Sequence, residues 1–206
     1  MADSCCGGTV DIRALEARQR RVLLIVLAIN IATFVMMLSA AIYSGSSSLL
    51  SGSLDNLGDA LTYLLSIAVI GASTRAKAKV ALLKGLLILG AAIAVAVQIG
   101  WRLAHPEVPI FEAIGLAALL NLAFNGICLW LLTPYRHGDV NMASVWECSR
   151  NDVFEGIAVL LAAVGVWLFE AGWPDLLIAA ALLVMFLRSA WRVLRSAWRS
   201  YKTGDA

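Results

Sequence analysis

The sequence predicts an all-α membrane protein, with six transmembrane helices and both the N- and C-termini cytoplasmic. Three observations lead there. Of 206 residues, 61% are hydrophobic and only 15% charged, a more apolar balance than water-soluble domains carry. The apolar residues fall into runs of the length that crosses a hydrocarbon core, which takes about 20 residues of helix. Lys and Arg are dense in alternate loops, the pattern left when positive charge is retained on the cytoplasmic side. The net charge of +2 is small and dispersed between apolar runs, so nucleic acid is not an expected partner.

Residues 1–21 are polar and read as a cytoplasmic tail, not a cleaved signal peptide. Apolar runs then begin near Val22, Leu54, Val80, Ala113, Met142 and Trp173. The first, Val22 to Tyr43, and the fourth, Ala113 to Leu132, hold no charged residue. The sixth has an uncharged stretch only from Leu176 to Leu187, so it needs its flanks to complete a crossing. Residues 22–190 are thus expected to form one six-helix transmembrane domain and 191–206 a basic amphipathic tail. Arg13, Arg18, Arg20 and Arg21 precede helix 1, Arg75, Lys77 and Lys79 lie between helices 2 and 3, and Arg136 lies between helices 4 and 5. The loops on the other side hold only Arg102. Past helix 6, Arg188, Arg192, Arg195 and Arg199 share one helical face and Trp191, Leu194, Trp198 and Tyr201 the other, which predicts a helix anchored in the lipid interface. The cell (inner) membrane is the expected location.

Two of these helices carry acidic residues at a spacing that joins them on one face. Asp55 and Asp59 in helix 2 are four apart and stand one above the other. An aspartate in a span costs about 2.5–3.5 kcal/mol on insertion scales, and like charges on adjacent turns repel, so the pair calls for a cation or protons. Helix 5 repeats the spacing with Cys148 and Asp152. Facing one another, the four side chains would supply the ligand count of a tetrahedral metal site. Such a donor set releases protons when it takes up metal, and its thiolate favours zinc or cadmium over manganese or magnesium. The competing reading has Asp55 and Asp59 bonded to small neighbours such as Ser51 and Thr62. Cys148 alone could be a small buried apolar residue. Glu155, one turn past Asp152, is an accessory candidate as relay or extra ligand, and equally a helix-facing polar contact. Arg150 and Lys84 read as snorkelling side chains. Cys5 and Cys6 could capture a soft metal at the cytoplasmic tail, though adjacent cysteines lack structural-zinc spacing. His105 and His137 fall in loops and form no second zinc site.

These residues resemble the cation diffusion facilitator family of divalent metal exporters. The likeness rests on the serine-rich approach to Asp55-x-x-x-Asp59, the helix 5 segment ending at Asp152, and Asn30 in helix 1. It implies a homodimer that exports zinc or a related ion from the cytoplasm against inward proton flow, by alternating access around the four-residue site. It implies no enzymatic activity and no resident cofactor. Where the family commonly has His or Asp, this chain has Cys148, which shifts the expected preference toward softer ions. The family also usually carries a cytoplasmic C-terminal domain, whereas a short basic helix and tail follow helix 6 here, so a dimer is expected to rest on the membrane helices. The rival from another class is an intramembrane metal-dependent phospho- or prenyltransferase, which also places aspartates four apart. It would need a longer Asp-Gly and Ala-Arg signature that Ser46 to Leu54 does not offer.

Overall fold

The structure, a computed structural model, describes residues 12–68, 74–136 and 140–203. Cys5, Cys6 and His137 lie outside them. The chain folds into α1 (Ile12–Ser44), α2 (Ser47–Ala68), α3 (Thr74–Ala104), α4 (Phe111–Leu132), α5 (Val140–Phe169) and α6 (Trp173–Thr203), with one 3-10 turn at Thr133–Tyr135. Helices satisfy every backbone polar group within the segment, which a lipid solvent demands.

Several helices begin earlier than the apolar runs did. α1 starts at Ile12 where a tail to residue 21 was expected, α2 at Ser47 and α3 at Thr74. Hydropathy marks the part of a helix that can sit in lipid, not the polar turns that extend it. Among the described residues, four stretches are long and apolar enough to cross a membrane: Ala17–Ser44, Gly85–Ala104, Phe111–Tyr135 and Cys148–Phe169. α2 is interrupted by its serines and aspartates, and α6 by Asp175 and its arginines. The residues past helix 6 continue α6 without a break, to Thr203. There Ala190 is buried and Leu194 sits so close to Gly85 of α3 that a Cβ on that glycine would meet Leu194 Cδ2 at 2.6 Å. Packing against α3 wins over the amphipathic pattern at Leu194, while Trp191 and Trp198 stay exposed as expected.

The connections between α1 and α2, α3 and α4, and α5 and α6 gather at one end of the molecule, here the loop end. The Ile110 N–H donates to the Ser44 carbonyl at 3.2 Å, and Gly172 lies against the Glu107 carbonyl. Gly45 ends α1 in the left-handed region, φ 71°, its N–H donating back to the Ala41 carbonyl at 2.9 Å. A Cβ there would collide with the Arg102 guanidinium, which is paired with Glu107.

What starts α2 comes from 128 residues away. Ser46 caps the helix conventionally, its Oγ accepting from the Leu49 N–H at 3.1 Å. The Asp175 carboxylate, in the first turn of α6, then accepts from the Ser47 N–H at 2.6 Å, the Ser48 N–H at 3.2 Å, and the hydroxyls of Ser46 and Ser48 at 2.6 and 2.5 Å. An acidic group at a helix N-terminus both fills orphan donors and complements the helix dipole.

α1, α2, α4 and α5 pack together as a body, and α3 packs chiefly on α6. That second pair meets the body through α2 and α5. The body has two apolar layers, one around Met37, Leu49, Ile114, Val159 and Val166, the other around Leu23, Val26, Tyr63, Cys128 and Leu132. Small residues let the helices approach closely: Gly156 of α5 sits against Leu122 of α4. α3 and α6 share a smaller apolar contact of Ala92, Val95 and Phe186. Ile42, Val97, Leu116 and Trp130 are exposed on outward faces, where lipid would cover them.

Candidate metal centre

α2 and α5 run antiparallel across the body, so residues climbing one helix meet residues descending the other. Spacing of four brings Asp55 and Asp59 to one face of α2, and that face meets Asp152 of α5. One ligand oxygen from each of Asp55, Asp59 and Asp152 can be chosen so that all three lie within 4.8 Å of one another. Across the helices, the Asp59 and Asp152 carboxyls are within hydrogen-bonding reach of each other. One turn toward the loop end, those of Asp55 and Glu155 are placed likewise. The Tyr63 hydroxyl donates to Asp59 Oδ2 at 3.3 Å.

These groups line a cavity of about 600 Å³ at the seam where α2 and α5 face α3 and α6. Liquid water takes about 30 Å³ per molecule, so the space admits a cation with part of its hydration shell. Apolar residues of α3, among them Leu86, Leu87 and Ala91, form the opposite wall. Asp59, Asp152 and Glu155 are buried, at 9%, 6% and 8% exposure. Among the described residues, Asp152 Oδ2 and Glu155 Oε1 have no hydrogen-bond partner, and a buried unpartnered acceptor is costly unless something satisfies it. A divalent cation fits that need by charge and by donor chemistry, since carboxylate oxygens suit all the divalent ions considered.

The other sequence-predicted residues, Cys5 and Cys6 apart, each have a definite place. Cys148 is half-buried and lines the cavity with Asp55, Asp59 and Asp152, but it stands outside the tight trio of carboxylates. Glu155 is buried in the same cavity. Asn30 is elsewhere: it is buried in the body, its Nδ2 donating to the Val26 carbonyl at 2.9 Å, and does not line the cavity. Ser51 and Thr62, the alternative partners for Asp55 and Asp59, spend their hydroxyls on their own helix, on the Ser47 and Gly58 carbonyls at 3.1 and 2.7 Å. Arg150 is exposed, its guanidinium 5.4 Å from the Trp146 ring centre, a cation–π distance. His105 stacks on Trp101 at the loop end.

The sequence reading missed Arg188, which lines the cavity instead of belonging to a tail. Its signal was present in the shortness of the uncharged stretch before it. A second, smaller cavity of about 380 Å³ at the loop end is lined by Arg102, Glu107 and Asp175, but these groups already serve each other and the α2 serines.

A bundle of membrane-crossing helices that buries a carboxylate trio at the seam between two helix groups is the architecture of a cation-handling membrane protein. Residues 23–200 match the cation efflux transmembrane domain, and the chain belongs to that family, the cation diffusion facilitators. It is therefore a multi-pass membrane protein of a metal-cation transporter family, not of an enzyme family. No curated protein matches the chain.

Proposed function

We propose that this protein exports a divalent transition-metal ion from the cytoplasm in exchange for protons, with zinc the first candidate and cadmium or another soft ion next. The ion is held by Asp55, Asp59, Cys148 and Asp152. All six helices cross the cell membrane with both termini cytoplasmic, and two copies associate through their membrane helices. The observation that carries this reading is the convergence of Asp55, Asp59 and Asp152 within 4.8 Å inside the seam cavity.

The chemistry follows from the donors. Three carboxylates and a thiolate bear more negative charge than one divalent ion neutralises, so an ion arriving displaces protons and an ion leaving admits them. That is the physical basis of exchange. The seam also supports alternating access: α3 and α6 form their own packed pair, so tilting that pair against the body exposes the carboxylates to one side at a time.

The test is transport by purified protein in proteoliposomes under a pH gradient, with zinc, cadmium, manganese and magnesium offered in turn. Zinc or cadmium uptake coupled to opposite proton flow is expected. If no ion moves, or if uptake ignores the pH gradient, the exporter reading is wrong.

A further inference from the structure

The proposed four-residue site leaves one buried group unused. Glu155 is 8% exposed, its Oε1 has no hydrogen-bond partner among the described residues, and it lines the same cavity as the carboxylate trio. It stands one helical turn toward the loop end from Asp152, on the side opposite Cys148. The three aspartates can therefore gain a fourth donor in either direction. Toward the termini the donor is a thiol, and toward the loop end it is a carboxylate oxygen already within reach of Asp55.

Gly52 of α2 faces its Oε1: a Cβ there would sit 3.7 Å from that oxygen, 2.8 Å from Met37 Cε and 3.9 Å from Val159 Cγ2. Met37 and Val159 are buried in the apolar layer of the body. Glu155 thus stands where the cavity meets that apolar layer. A carboxylate placed there only to join helices would be expected to end fully hydrogen-bonded, as Asp175 does.

We propose that Glu155 and Asp55 form a second cation station, one turn beyond the proposed site toward the loop end, which takes a divalent ion through carboxylate oxygens alone. It rests on the exporter reading above. The two stations differ in kind. The one completed by Cys148 suits zinc and cadmium, whereas the one completed by Glu155 suits manganese and magnesium and holds soft ions less firmly. An ion passing from the first to the second exchanges sulfur for oxygen, which eases its release.

The experiment measures binding by full-length protein in detergent, with Mn2+ followed by loss of its free-ion EPR signal and Cd2+ by its thiolate charge-transfer absorption. Cys148→Ser is expected to keep Mn2+ affinity within threefold of the parent, and adding Glu155→Gln to weaken it at least tenfold. Glu155→Gln alone should retain the cadmium–thiolate band while slowing zinc flux at least tenfold. Glu155→Asp, which keeps the carboxylate, should bind Mn2+ more tightly than Glu155→Gln in the Cys148→Ser background. Equal Mn2+ affinity in Cys148→Ser with and without Glu155→Gln overturns the station, as does a Glu155→Asp variant no better than Glu155→Gln. If the parent protein binds neither ion, both readings fall. If it binds and Asp59→Ala abolishes binding while Glu155 variants are silent, the second station alone falls.

Discussion

Two groups of buried carboxylates sit in this molecule, and they are treated in opposite ways. Asp175 is 2% exposed and accepts four hydrogen bonds from Ser46, Ser47 and Ser48. Asp152 and Glu155 are nearly as buried, at 6% and 8%, yet each keeps an oxygen without a hydrogen-bond partner among the described residues. The difference comes from where each acid meets a helix. Asp175 reaches the N-terminus of α2, where backbone N–H groups have no intrahelical partner. Asp55, Asp59, Asp152 and Glu155 sit in mid-helix, where every nearby N–H is already spent on the helix itself. Only side chains, water or a cation can serve them there. Asp175 is finished by the fold, whereas Asp152 and Glu155 each keep one oxygen that an ion can finish.

The largest effect should come from the carboxylates of the cavity. Asp59→Ala is expected to lower metal flux in proteoliposomes by a factor of about 100 or more, because it removes a charged donor from the low-dielectric interior where charge-assisted contacts are strongest. Its thermal stability in detergent should hold or rise, since a like charge is removed from the cluster. Transport undiminished in that variant would mean the trio holds no ion.

Asp175→Ala should do the reverse. Hydrogen bonds to a charged group are worth about 1.5–3 kcal/mol each before compensation, and the variant strands N–H groups of α2, so a loss of about 2–4 kcal/mol is expected. Thermal unfolding in detergent reads it. Flux per folded molecule should fall far less than for Asp59→Ala. If Asp175→Ala instead abolished transport with an unchanged melting temperature, the two sets of carboxylates would not be distinct in role.

Local spacing made half of this legible in the sequence. Four-residue intervals placed Asp55 with Asp59 and Cys148 with Asp152, and the uncharged runs of α1 and α4 announced themselves. The other half is long-range. Nothing near Asp175 shows that its partners are serines 128 residues earlier, and the close approach of Met37 to Gly52, beside Glu155, joins three helices. The wall built by α3 and α6, Arg188 included, is a tertiary fact. So is the docking of Leu194 on Gly85.

Cys148 sharpens the comparison from within the cavity. It lines the same wall as the trio but outside its tight geometry, so removing its sulfur should change which ion is preferred more than whether any ion is held. Cys148→Ser is expected to reduce the cadmium-to-manganese affinity ratio about tenfold, equivalent to about 1.4 kcal/mol. Equilibrium dialysis with both ions measures it. An unchanged ratio would remove Cys148 from the ligand set. A smaller effect is expected at Asn56, whose Nδ2 donates to Asn121 Oδ1 at 2.9 Å in the interior of the body. Asn56→Ala leaves that acceptor without this donor and should cost about 1–2 kcal/mol of stability, whereas replacing both asparagines by leucine should cost less.

The smallest effect should be at Thr62, and it is informative because the competing reading had this hydroxyl holding the aspartates in place. The Thr62 Oγ1 donates to the Gly58 carbonyl of its own helix at 2.7 Å. Such back-bonding adds little to stability and is readily forgone, because the carbonyl keeps its intrahelical partner. Thr62→Val keeps the shape of the side chain and removes only the hydroxyl, so stability should move by less than about 0.5 kcal/mol, the usual range for substitutions that touch no special feature. Metal flux should stay within about twofold of the parent. A loss approaching that of Asp59→Ala would mean that the aspartates depend on a neighbouring hydroxyl, and the carboxylates of the cavity would then be completed by the fold in the same sense as Asp175.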